Sequence, residues 1–101
     1  MRARITNHAE QRARQRHGWT GAETDQRLDE VIRHGILIPR RLEARVDRCP
    51  HLPTGDRRGV RIRVLGSVVA VVRGRLVITT WRLTDEQLAG LLVWAALKVW
   101  P

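Results

Sequence analysis

Residues 60–81 read VRIRVLGSVVAVVRGRLVITTW, and the period of this stretch decides the fold class. Val60, Ile62 and Val64 alternate with Arg61 and Arg63, the two-residue period of a strand with one buried face and one face carrying paired arginines. Gly66 and Ser67 supply a turn, residues 68–72 (VVAVV) are apolar on both faces as a central strand requires, and Arg73 and Gly74 supply a second turn. Residues 75–81 (RLVITTW) complete an antiparallel meander of three strands.

Upstream of this stretch the period is helical. Thr6 or Asn7 caps a helix running to about His17, with Ile5, Ala9 and Ala13 as its buried stripe. GWTG at 18–21 breaks it. Thr20 followed by Glu23 forms a capping box, and Leu28, Val31 and Ile32 give the apolar face of a second helix that stops at Gly35. The two helices form a hairpin. ILIP at 36–39 suits a short edge strand, closed by Pro39, which has no N–H to donate. In residues 40–49 Leu42 and Val46 are spaced for one or two helical turns, and residues 50–59 (PHLPTGDRRG) form a loop with Arg57 and Arg58 at its exposed tip.

Downstream, Thr84 with Gln87 is another capping box, with Asp85 and Glu86 suited to the positive end of a helix. The helix that follows is the most apolar segment of the chain. Leu88, Leu91, Leu92, Ala95, Ala96 and Val99 fall on one side and are expected to cover the sheet, while Val93, Leu97 and Trp100 fall on the other. Either the domain wraps around this second face, or the face is an interface with a second copy or a partner protein. The segment is too short to cross a bilayer and carries Lys98, so no membrane association is expected. The expected fold is α+β over residues 1–101 as a single domain: an N-terminal helical hairpin, a three- to four-stranded antiparallel sheet and a C-terminal apolar helix.

Charge narrows the function classes. Nineteen Lys and Arg against ten Asp and Glu give a net charge of +9, and only Lys98 is not arginine. A GC-rich coding sequence explains arginine over lysine but not the net charge; guanidinium forks suit phosphate, so RNA or another nucleic acid is the expected partner. Cys49 is the single cysteine, which excludes an internal disulfide, and with His51 it supplies too few ligands for zinc. No metal or other cofactor is expected. The N-terminus is charged rather than apolar, so no signal peptide is read and a cytoplasmic location is expected.

One constellation carries chemistry. His8, Arg12 and Arg16 recur at four-residue intervals in the first helix. With His8 at zero on the helical wheel, Arg12 lies at about 40°, Ile5 at about 60°, Arg16 at about 80° and Ala9 at about 100°. The polar triplet therefore overlaps the buried stripe, whereas Glu10 and Arg14 oppose it as solvated charges do. Arginine at a packed edge needs an anion: either Asp25 or Asp29 of the second helix, or a phosphate with His8 beside it to exchange protons.

HAEQRARQRHG at 8–18, VIRHG at 31–35 and VITTW at 77–81 together resemble a small bacterial and phage domain that opens with His-Ala-x-x-Arg-x-x-x-Arg. That group is allied to the barnase, EndoU, colicin and RelE-like (BECR) ribonuclease fold, in which helices precede a curved antiparallel sheet. The resemblance spans about residues 5 to 82 and leaves out the C-terminal helix. It implies toxin-like, metal-independent RNA cleavage by 2′-hydroxyl attack, with His8 as base or acid, Arg12 and Arg16 on the phosphate, and a hydroxyl from Thr80 or its neighbour Thr79 at the strand end. Arg57, Arg58, Arg61 and Arg63 are expected to bind nucleic acid. With no Tyr or Phe present, base stacking falls to Trp19 and Trp81. His17, nine residues from His8, lies about 180° away on the same helix and is excluded from its site. The competing expectation is a non-catalytic phage-type regulator that holds a host protein or nucleic acid; an antitoxin is a further possible partner, and Val93, Leu97 and Trp100 the expected interface.

Overall fold

In the computed structural model, which describes residues 4–42 and 59–97 (side chains excepted at 41 and 94–97), the meander is the centre of the molecule. Strands β3 (Val60–Leu65), β4 (Val68–Arg73) and β5 (Leu76–Arg82) pair antiparallel. Both connections are two-residue turns whose Gly66 (φ 60°) and Gly74 (φ 61°) take the left-handed conformation that a tight hairpin requires.

Two short strands extend this sheet. Strand β1 (Arg4–Ile5) runs parallel to β5, and β2 (Ile36–Leu37) runs antiparallel to β3, giving the order β1-β5-β4-β3-β2. The sheet is thus five-stranded and mixed, where three to four antiparallel strands are expected from the sequence. Strand β2 is the short edge strand expected at ILIP, whereas the two residues of β1 carry no detectable period and their pairing is fixed only by tertiary contact: Arg4 N donates to Arg75 O at 2.9 Å and Thr6 N to Val77 O at 3.1 Å.

Helix α1 (Asn7–His17) and helix α2 (Ala22–His34) cover one face of the sheet. Their buried Ala9, Leu28 and Val31 pack with Ala70, Val72 and Val77, and Ile5, Trp19, Leu65 and Val68 close the margin. Helix α3 (Asp85–Leu97) joins the opposite core, where Leu88 and Leu91 meet Val69, Val71, Ile78 and Trp81; Ile38, Leu42 and the inward residues of β3 complete it. With α1 and α2 on one face and Leu88, Leu91, Ile38 and Leu42 on the other, the doubly apolar β4 is buried on both sides. A short 3-10 turn (Arg40–Leu42) carries Leu42 into that core.

The caps divide into those that form as expected and one that does not. Thr6 Oγ1 accepts from Ala9 N at 3.0 Å, and Thr84 and Gln87 exchange both bonds of their box, at 3.0 and 3.1 Å. The Thr20–Glu23 box does not form: α2 starts after Gly21 (φ 55°, ψ −127°), no side chain caps it, and Glu23 N bonds the Thr20 carbonyl instead. Leu92 corrects a second expectation. It is 58% exposed, because the line of contact runs through Leu88 and Leu91 and Leu92 stands about 100° from Leu91 on the helix.

A bulge in β5 decides the orientation of its last residues. The register steps from Val77↔Val72 to Thr79↔Val71, leaving Ile78 as the extra residue. Beyond it Thr80 lies opposite Ala70, on the α1/α2 face, and Trp81 lies opposite Val69, on the α3 face. Unbroken alternation from Val77 would reverse both. Thr6 holds the bulge as well as the helix, since its hydroxyl donates to Ile78 O at 3.1 Å.

Candidate functional site

Helix α1 lies along β5, and its polar flank defines the candidate site. His8 and Arg12 are half-buried while Arg16 reaches out to solvent, as do Glu10 and Arg14 on the other side. Arg16 donates to the Thr80 carbonyl at 3.0 Å, and Arg12 donates to Gln15 Oε1 at 2.7 Å. Neither bond reaches Asp25 or Asp29. Asp29 pairs with Arg33 of its own helix at 3.0 Å, one helical turn away.

The pKa of His8 is lowered, first by partial burial and then by the charges of Arg12 and Arg16. The imidazole is therefore neutral at physiological pH, the state in which it accepts a proton, and it is flanked by two permanent cations. This is a proton acceptor next to a place where an anion is favoured.

His17, excluded on the wheel from the His8 site, is the histidine that meets Thr80. Its Nε2 lies 3.0 Å from Thr80 Oγ1, and that hydroxyl donates its own proton to Val69 O at 2.7 Å. The hydroxyl has one proton, so the His17–Thr80 bond needs Nε2–H as donor and leaves Nδ1 as the bare nitrogen. Nδ1 is buried with no hydrogen-bond partner among the described residues. Burial, Arg82 and then Arg16 depress the His17 pKa to about 4. The ring stacks on Trp19, centroids 4.2 Å apart at 20°, because Gly18 (φ 75°) turns the chain back at the end of α1.

Two expected site residues take other roles. Thr80 is fully buried, its hydroxyl spent on His17 and Val69, so it offers no contact to a substrate. Trp81 is 1% exposed in the α3-side core and presents no ring face to a base; the bulge sends it there. Arg61 and Arg63 are half-buried rather than displayed, because α2 covers their face of the sheet, and Arg61 donates to Ile38 O at 3.0 Å. Val93 is 57% exposed, while Arg57, Arg58, Trp100 and the side chain of Leu97 lie outside the described residues.

The structure thus brings Arg16, His17, Trp19, Thr80 and Arg82 together at the C-terminal end of α1, and leaves His8 and Arg12 along its flank. His17 and Arg82 are absent from the sequence-derived site. The alternation of polar residues beyond TTW gives Arg82 no special mark, whereas the HGW triplet at 17–19, a histidine and a tryptophan around a glycine, is a readable signal for a stack at a helix end. Among the described residues no helix is long and apolar enough to cross a membrane. Comparison with known protein families, with curated proteins and with solved structures finds no match for this chain.

Proposed function

We propose that this protein binds RNA along the α1 flank and cleaves it without a metal, in the manner that its resemblance to the BECR group implies. The observation that carries the reading is the alignment of His8, Arg12 and Arg16 along one flank of α1, where partial burial and the two arginine charges lower the His8 pKa and favour its neutral form. In the proposed step neutral His8 takes the proton of a ribose 2′-hydroxyl, and the 2′-oxygen bonds to the adjacent phosphorus as the 5′-oxygen leaves. The products are a 2′,3′-cyclic phosphate and a 5′-hydroxyl, the leaving oxygen taking its proton from water. Arg12 and Arg16 carry the charge that develops on the phosphoryl oxygens. His17 is no partner in this step, since Nε2 is bound to Thr80 and Nδ1 is buried.

The test is incubation of labelled RNA with the protein in EDTA, beside His8→Ala and Arg12→Ala. Cleavage by wild type with a loss of about 100-fold or more in His8→Ala supports the reading, that being the usual scale of acid–base catalysis. Cleavage undiminished in both variants overturns it.

A second reading, a non-catalytic regulator that holds another protein or nucleic acid, is favoured by one observation. Leu92 and Val93 stand 58% and 57% exposed, side by side on α3.

A further inference from the structure

Beside the His17–Trp19 stack a groove of about 370 Å³ opens between Trp19, the middle of α2 and the β3–β4 turn. Its size falls in the range of about 300–1,000 Å³ typical of small-ligand sites. Trp19, Val31, Leu65 and Val68 line it with apolar surface, and Arg27 and Glu30 add one cation and one carboxylate. Arg82 stands opposite Val68, a lining residue, in the β4–β5 register, and its charge acts on His17, so it lies beside the groove without lining it. Arg16, bonded to the Thr80 carbonyl, stands on the His17 side.

These observations select the chemistry of the occupant. The Trp19 ring is fixed on one face by His17, so it is a rigid stacking platform that loses little freedom on binding. Arg27 and Glu30 leave the groove itself without net charge, while Arg16 and Arg82 beside it attract an anion. A flat neutral ring attached to a phosphate satisfies both conditions, with the ring against Trp19 and the phosphate outside.

We propose that the Trp19 groove is a nucleobase site, holding one unpaired base of single-stranded RNA with the flanking phosphate on Arg16 and Arg82. This rests on the RNA reading above and extends it from the α1 flank to the end of β5. Arg27 and Glu30, donor and acceptor three residues apart on α2, face the base edge.

The experiment compares two fluorescent 2′-O-methyl octamers, one of ordinary nucleotides and one with abasic sugars throughout. Neither can be cleaved by its 2′-oxygen, so binding is read apart from catalysis. Wild type is expected to bind the base-bearing octamer more tightly; Trp19→Leu should weaken that binding by about 5- to 100-fold and leave the abasic octamer unaffected, the scale of one stacked base. Arg82→Gln should weaken both. Equal binding of the two octamers by wild type, or equal weakening of both by Trp19→Leu, overturns the base site while the RNA reading stands. Binding of neither overturns both. Wild type also answers directly, whatever the stability of Trp19→Leu: the Trp19 indole N–H resonance should shift with the base-bearing octamer and not with the abasic one. An indole that responds to neither overturns the proposal.

Discussion

His17 shows how one side chain changes role once its neighbours are placed. A histidine with an ordinary pKa of 6.5 is held near 4 in the fold, so the unfolded chain takes up the proton first as the pH falls. The stability that neutral His17 contributes is complete above about pH 6.5, drains away between 6.5 and 4, and falls no further below that. His8, shifted in the same direction, adds to the loss. Thermal denaturation across this window should show a steeper fall of Tm for wild type than for His17→Gln, whose amide can still donate to Thr80; parallel curves would sink the assignment. Much of this scale is legible in the sequence. The wheel places His8, Arg12 and Arg16 at the packed edge and Glu10 and Arg14 in solvent, and the exposures of Glu10 and Arg14 agree. It cannot name the acceptor of Arg16, a main-chain carbonyl 64 residues away, because no local pattern encodes that distance.

At the level of elements, Thr6 joins three parts of the fold. It extends the β1 pairing through its N–H, caps α1 through its oxygen, and holds the β5 bulge through its hydroxyl proton. An ordinary N-cap substitution costs about 1 kcal/mol, and a second lost bond about as much again, so Thr6→Ala should destabilise the protein by about 2 kcal/mol in urea titration. A change of a few tenths would mean that the bulge is held by other contacts. The helix α1 bounds and the three long strands follow from capping chemistry and period, because those signals are local. The failed Thr20–Glu23 box shows the limit of such signals: Gly21 with its positive φ starts α2 one residue later, and Glu23 turns to Arg27, 3.8 Å away.

Over the whole molecule, the described side chains of the apolar helix α3 divide into Leu88 and Leu91, which meet the core, and Leu92 and Val93, which stand on an open side. Sedimentation of wild type and Val93→Glu tests whether the open side joins subunits: a dimer that becomes monomeric in the variant supports an interface between copies, and a monomer in both removes it. The spacing picks out Leu88 and Leu91 as covered, but the rotation itself is a tertiary matter, since apolar residues on both sides leave the edge of the stripe unmarked. Leu92 is therefore outside although its type belongs inside. The chain by itself determined what depends on neighbours in sequence: the α+β class, the meander, the caps at Thr6 and Thr84, the basic balance and the polar flank of α1. Only tertiary structure decided the mixed five-stranded sheet, the burial of Trp81 and Thr80, and the meeting of His17 with Thr80. All of these turn on long-range pairing, and in β5 on a single inserted residue, which reverses every side chain beyond it because the period of a strand is two.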